Sequence, residues 1–418
     1  MDTSGGTLNE SNRRRFLGSC GAGIVGTMSG CLDEIGPIGE SEPVFDHPDS
    51  VRIDESFPLE IGGLPTGEQI EVIATADDDN GVTWSTTVTY EATDGTIDLE
   101  TDAPLGATDG EAGTGRLIQS METTGGEGST YAPPPEETLS LEVAVDDNVL
   151  GTSTMTRTFG DPDLTVTELD EGPVGVAFEP PGSQTVPAVV VLHASEAEPL
   201  TDYARMLASN GFVALALHYY GTEGLPDELV EVPLELVDEA ATWLLDHDRV
   251  EDSQVGLFGR ARGGELALLA GSRLDSTGPV VSLNGSGVVI PGLTPGHATE
   301  HAWTVDGDPI PHFTGDDDEL EAATIAVEEN DGPVLLVSGA EDLLWESTEL
   351  TSVAQDRLEE RDFSDEYDHL VFDDAGHAIR YPYVPTGNRE RLQLGGTSAG
   401  YARADATYWP RALEALRS

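Results

Sequence analysis

Three positions in this 418-residue chain stand where hydrolytic chemistry could be done: residue 261, Asp342 and His377. Residues 255–269 read VGLFGRARGGELALL, an apolar run ending at Gly259, a glycine-flanked turn, and a helix expected to begin at Gly264. A strand, a tight turn and a helix in that order form a nucleophile elbow, in which G-x-S-x-G lifts a serine oxygen above a sheet. The central residue here is Ala261. Gly259 and Gly263 still permit the strained turn, but a methyl group has no proton to lose and cannot attack a carbonyl. Asp342 lies in SGAEDLLWES behind the apolar run 334–337, and His377 lies in DDAGHAIRYPY behind a short strand around 370–372. Nucleophile position, acid, histidine is the chain order of an α/β-hydrolase triad. Glu341 competes with Asp342 as the acid, and position in the motif favours Asp342. His193, His218, His301 and His312 lack such context and read as structural, with His193 a candidate for the pocket mouth.

The elements that must position these residues alternate strand and helix. Runs 188–192 and 212–217 are continuously apolar, 200–209 has helical spacing ended by Gly211, and 234–245 is an amphipathic helix before the elbow strand. Runs 280–283 and 334–337 add buried-type strands. Such a pattern predicts a parallel sheet covered on both faces, with its site beyond the carboxyl ends of the strands. Upstream, segments 51–61, 69–76, 82–92, 96–99, 139–145 and 152–159 alternate apolar with polar residues between turns. They predict an antiparallel, immunoglobulin-like β-sandwich over 50–160, ahead of an α/β-hydrolase fold over 165–418. Residues 125–137, rich in glycine and carrying Pro133, Pro134 and Pro135, read as a loop.

Composition restricts the partners. Acidic residues number 79 against 19 basic, for a formal net charge of -60, and every basic residue is arginine. A surface so self-repelling suits molar salt, where the Debye length falls to roughly 3 Å, as in haloarchaeal proteins. With no basic patch, nucleic acid is excluded as a partner. Residues 12–17 read NRRRFL, and the apolar, small-residue run that follows is too short to span a bilayer, so Arg13 and Arg14 are expected to belong to a twin-arginine export signal. Met28, Ser29, Gly30 and Cys31 resemble a lipobox, which would place the chain on the outer face of the cytoplasmic membrane through a lipid on Cys31. Residues 32–49 read as an acidic tether without a fold of its own. Cys20 falls inside the signal, so no disulfide framework is expected, nor any metal or cofactor.

The stretches GLPTGEQIEVIATADDDNGVTWSTTVTYEATDGTIDLETDAPLGA and GRLIQSM resemble the amino-terminal domain of the acyl-CoA thioester hydrolase and bile acid-CoA:amino acid N-acyltransferase family. That family's elbow GxSxGGE, its acid motif GEDDxxWxS and its GH followed by an aromatic-proline pair are matched at 259–265, 339–347 and 376–383, and the tail GGTSAGYARADATYWPRALEAL is similar. The resemblance implies acyl thioester or ester chemistry through an acyl-enzyme, with Asp342 and His377 in their triad roles. Two departures stand against it. Ala261 replaces the nucleophile, and HASEAE, residues 193–198, replaces a glycine-rich turn that would aim N-H groups at an oxyanion. Ser195 in that loop and the backbone N-H of Arg262 remain the oxyanion candidates, with two carboxylates opposing the developing charge. Loss of a triad serine costs on the order of a millionfold in turnover and leaves about a thousandfold over water. Three readings follow: an impaired thioester hydrolase, a surface-anchored pseudohydrolase that binds a hydrophobic small molecule or a partner protein, and a hydrolase in which the remaining dyad activates water.

Overall fold

The computed structural model describes residues 42–106, 113–123, 130–250, 253–293, 300–315, 317–387 and 389–418. Arg13, Arg14, Cys31 and the rest of the expected signal and lipobox lie outside the described residues. Ser41–Ser418 form one compact unit.

The expected sandwich is present as a six-stranded sheet and a three-stranded sheet. The larger runs in the order Ser50–Arg52, Asn148–Thr158, Glu136–Val145, Gln69–Asp77, Thr83–Glu91, Glu122–Thr123. Along Gln69–Asp77, Ile70, Val72, Ala74 and Ala76 are buried while their neighbours face outward, the period of two expected of a sheet with one core face. Four features depart from the sequence reading. The run 51–61 is two strands in different sheets, because a turn at Ile53 and Asp54 and a proline at 58 break it. Ser50–Arg52 pairs in parallel with Asn148–Thr158, so the sandwich is not wholly antiparallel. Within the tether, Val44–Asp46 forms a strand antiparallel to Glu60–Gly62. A short helix, Thr114–Gln119, was hidden by its glycine and its length of 6 residues.

The larger layer is a sheet of eight strands. They are β1 (Thr165–Leu169), β2 (Gly175–Glu179), β3 (Ala188–Leu192), β4 (Val213–Leu217), β5 (Val255–Arg260), β6 (Thr277–Leu283), β7 (Val334–Gly339) and β8 (Tyr367–Phe372). Their spatial order is β1-β2-β4-β3-β5-β6-β7-β8. From β4 to β8 every pairing is parallel, but β1 with β2 and β2 with β4 are antiparallel, which corrects the all-parallel expectation. The chain enters this layer through that hairpin, a connection only antiparallel strands can make with a short turn.

Five helices cover the sheet: α1 (Thr201–Ser209), α2 (Glu235–Leu245), α3 (Arg262–Gly271), α4 (Ser347–Glu360) and α5 (Ser398–Ala415). Alternation along β3 assigns the faces. Val189 and Val191 join one core with Tyr203 of α1 and Tyr408 of α5, whereas Val190 and Leu192 join another with Val237, Leu266 and Ala354 of α2, α3 and α4. The first core continues without a break into Ile70, Leu141 and Trp84 of the sandwich. The α1/α5 face is therefore sealed by the sandwich, and the loops at the carboxyl ends of β3, β5, β6, β7 and β8 gather the chemistry at one edge.

Candidate active site

Ala261 sits between β5 and α3 with φ 50 and ψ -115, a conformation that L-residues avoid. The helix begins at Arg262, two residues earlier than the sequence suggested, because the turn is completed within Ala261 itself. Its sharpness forces the flanking glycines. A Cβ on Gly259 would lie 1.9 Å from the carbonyl oxygen of Gly263, and one on Gly263 would lie 2.2 Å from that of Leu192 and 2.4 Å from that of His193. The elbow geometry is thus retained around a methyl group that is 4% exposed.

His377 and Asp342 meet. His377 Nδ1 lies 2.7 Å from Asp342 Oδ2, and both side chains are buried. The other carboxylate oxygen, Oδ1, accepts from the backbone N-H of Leu344 at 2.9 Å and of Trp345 at 3.3 Å. Glu341 is exposed and is not the histidine's partner. With Nδ1 on the carboxylate, Nε2 is left as the proton acceptor.

Asn284, at the end of β6, joins the three loops, and sequence reasoning missed it. Its Nδ2 donates to the His377 carbonyl at 3.0 Å, its Oδ1 accepts from Gly339 N at 3.1 Å, and its own carbonyl accepts from Trp345 Nε1 at 3.1 Å. The N-H of Ala261 donates to the carbonyl of Leu283 at 2.8 Å. Ala261 and His377 are therefore tied to consecutive residues of one strand end. The available signal was an Asn-Gly pair directly after a buried strand, and Asn284 takes the left-handed φ of 48 that such pairs favour.

On the oxyanion side the loop after β3 divides into a buried and an exposed part. Ser195 is exposed in a turn, while His193 and Ala194 are buried. The His193 ring stacks on Tyr219 at 3.9 Å, and burial pushes its pKa down to about 4, so it is neutral at pH 7. Tyr219 donates to the carbonyl of His193 at 2.5 Å, which fixes the loop from beneath. Glu196 and Glu198 point to solvent. Arg262 contributes an N-H at the first position of α3, where the helix dipole favours negative charge. His301 Nδ1 is 2.9 Å from the carbonyl of Ile310 and 3.1 Å from His312 Nδ1, and neither ring contacts the dyad.

A buried ion pair props the elbow helix from the other side. Arg262 Nη1 is 2.9 Å from Glu265 Oε2, Arg262 Nη2 donates to the carbonyl of Ile290 at 3.1 Å, and Trp303 Nε1 donates to Glu265 Oε1 at 2.7 Å. Burial raises the Glu265 pKa from 4.5 to about 7, against the pull of Arg262 and Trp303. Between those values the folded chain holds a proton that the unfolded chain has released. Stability contributed by this group is full below pH 4.5 and is lost as pH rises through 7. In Glu265→Gln the fall in Tm between pH 4.5 and 7, followed by circular dichroism in molar salt, becomes shallower. Asp405, raised by burial to about 6, supplies a slope that remains.

Comparison with known proteins agrees with this layout. The model described as "Acyl-CoA thioester hydrolase/BAAT N-terminal region" matches residues 54–171, and "BAAT / Acyl-CoA thioester hydrolase C terminal" matches 232–306 and 307–417. The mouse peroxisomal succinyl-coenzyme A thioesterase is 27% identical over 265 residues, spanning 56% of this chain and 61% of that protein. Human bile acid-CoA:amino acid N-acyltransferase is 26% identical over 419 residues, spanning 88% of this chain and 96% of that one. Among solved structures, a putative dienelactone hydrolase from Klebsiella pneumoniae aligns with a TM-score of 0.42 and 19% identity, covering 60% of this chain and 97% of its own. With one model on the sandwich and the other on the elbow, acid and histidine loops, the chain belongs to the acyl-CoA thioester hydrolase/BAAT family.

Proposed function

We propose that this chain is a disarmed member of its family, which binds an acyl thioester, an ester or a similar hydrophobic small molecule where its relatives would form an acyl-enzyme, and which turns it over poorly. One observation carries this reading. The elbow keeps its strained φ and ψ at residue 261 and the dyad keeps its 2.7 Å contact, yet the atom that would attack is missing. The substrate class rests on relatives named for acyl-coenzyme A thioester hydrolysis and amino acid N-acylation. The proposal includes export by the twin-arginine route and a lipid anchor on Cys31, on the strength of NRRRFL and MSGC. It includes a high-salt milieu, on the strength of the -60 charge. A chain outside the cytoplasm meets external esters and thioesters sooner than acyl-CoA, so coenzyme A itself is not required of the ligand.

The intact dyad favours a second reading, in which His377 takes a proton from water that attacks the ligand directly, with no covalent intermediate. Turnover of short acyl thioesters and esters in molar salt separates the two when the natural chain is compared with His377→Ala. For a disarmed binder, both proteins stay within about a thousandfold of the uncatalysed rate, both hydrolyse at similar speed, and a thioether analogue binds to each. A turnover that falls a hundredfold or more in His377→Ala assigns the chemistry to the dyad instead.

A further inference from the structure

Behind the histidine loop, on the α1/α5 face of the sheet, polar groups are buried without a sufficient set of partners. Arg260 leaves β5 on the same face as Phe258, and Phe258 packs on Tyr203 of α1 at 5.0 Å. Tyr203 meets Tyr381 at 5.6 Å and Trp409 at 6.2 Å. Asp405 of α5, one turn before Tyr408, accepts from Arg380 N at 2.7 Å and from Arg389 Nη1 at 2.6 Å. Strand, both helices and residues 380, 381 and 389 thus meet in one buried region.

Charge and hydrogen bonding there are both unbalanced. Arg260, Arg380 and Arg389 bring three guanidinium groups. Asp405 is buried, and Asp202 sits at the rim 3.8 Å from Arg380 Nη2. Arg380 and Arg389 take these two carboxylates and Asp342 is held by His377, which leaves the Arg260 guanidinium without a direct counterion. Among the described residues Arg260 has no carboxylate within ion-pair distance. Its single hydrogen bond runs from Nη2 to the His377 carbonyl at 3.4 Å. The buried atoms left unpartnered are Arg260 Nε, Arg389 Nε and Nη2, Tyr203 Oη and Tyr408 Oη. The arginine atoms can only donate, and the Tyr203 and Tyr408 hydroxyls, which face each other, have one proton between them left to give. What is missing is therefore an acceptor, and one that carries a single negative charge.

We propose that this region binds one small monovalent anion of the halide class, chloride in a chloride-rich medium, held by Arg260, Arg389 and one hydroxyl of the Tyr203 and Tyr408 pair. Water fits the hydrogen-bond pattern less well, since it brings two donors to a site already crowded with donors and leaves the charge uncompensated. The ion has a consequence for the dyad. Arg260 holds the carbonyl of His377 and Arg389 holds that of Ala378 at 3.1 Å, so an anion that fixes both guanidinium groups fixes the backbone bearing the histidine. Arg260 and Arg389 act here as positioning residues.

Anomalous diffraction tests the site on the natural chain, from crystals in which bromide replaces chloride. A bromide peak within hydrogen-bonding reach of Arg260 Nε and one of the two tyrosine hydroxyls supports it, and a map without a peak there, or with density for water alone, overturns it. Thermal melting in potassium chloride and in potassium isethionate at equal ionic strength gives the solution counterpart. The natural chain should gain stability specifically from chloride, the folded-to-unfolded ratio rising tenfold for each tenfold rise in chloride above its dissociation constant. Arg260→Gln should lose that chloride-specific gain, and an equal gain in both proteins contradicts the proposal. If Arg260→Gln fails to fold, the bromide map on the natural chain still decides.

Discussion

Ala261→Ser is expected to raise turnover of a short acyl thioester or ester by at least about a thousandfold, and toward a millionfold if the oxyanion contacts are sound. The substitution adds one oxygen to a Cβ that already sits at φ 50 and ψ -115, so no backbone movement is needed to present it. Asp342 is already on His377 Nδ1, which leaves Nε2 to accept the serine proton and return it to the leaving group. Full recovery is limited by the loop after β3. There the peptide carbonyls of His193 and Ala194 are engaged by Tyr219 and Tyr220 at 2.5 Å and 3.5 Å, and the N-H of Arg262 is the firmer of the two oxyanion candidates. Each missing donor costs about a hundred- to a thousandfold, which sets the lower end of the range. Steady-state assays in molar salt check the expectation, and adding His377→Ala to Ala261→Ser should abolish the gain.

Arg157→Met should have the largest effect on stability, a loss of about 3–5 kcal/mol. Arg157 is 1% exposed and donates to Glu137 Oε1 at 2.7 Å, to the carbonyl of Ile53 at 3.0 Å and to the carbonyl of Tyr383 at 2.5 Å. Tyr131 donates to the second oxygen of Glu137, so the pair is nearly saturated with hydrogen bonds. Burial pushes the Glu137 pKa up and that of Arg157 down, each offset by the other, and removal of either strands a buried charge. The change also releases Tyr383, which sits at φ 58 in the loop that follows His377. Urea unfolding in molar salt measures the loss. The double variant Arg157→Met with Glu137→Leu should recover most of it, because an apolar pair needs no compensation.

Local chemistry was legible in the sequence wherever it depended on neighbours along the chain. Gly259, Ala261 and Gly263 marked the elbow because a turn this tight needs glycine at fixed offsets from the strand end, and the collisions found for a Cβ at 259 and 263 express the same constraint. Five of the six parallel strands announced themselves through unbroken apolar runs such as 188–192. The groups that escaped notice are those whose meaning lies across the fold. Asn284, Glu265 and Arg157 are polar residues made tolerable in the core by partners 93, 38 and 226 positions away. No periodicity encodes such pairings. The hairpin of β1 and β2 was equally hidden, since Thr165–Leu169 is mostly exposed and too polar to read as part of a buried sheet. At the elbow itself, the start of α3 differed by two residues because Ala261 completes the turn alone, a role sequence rules assign to glycine.

The most direct measurement is the intact mass of the protein after exposure to a serine-reactive fluorophosphonate, for the natural chain and for Ala261→Ser. Stoichiometric labelling at position 261 of the variant, lost when His377→Ala is added, together with an unlabelled natural chain, is the expected result, and it would show a complete elbow and dyad lacking only the attacking atom. Labelling of the natural chain would mean that a nucleophile stands elsewhere in the site, and an unlabelled Ala261→Ser would mean that the elbow and the dyad do not form a working pair.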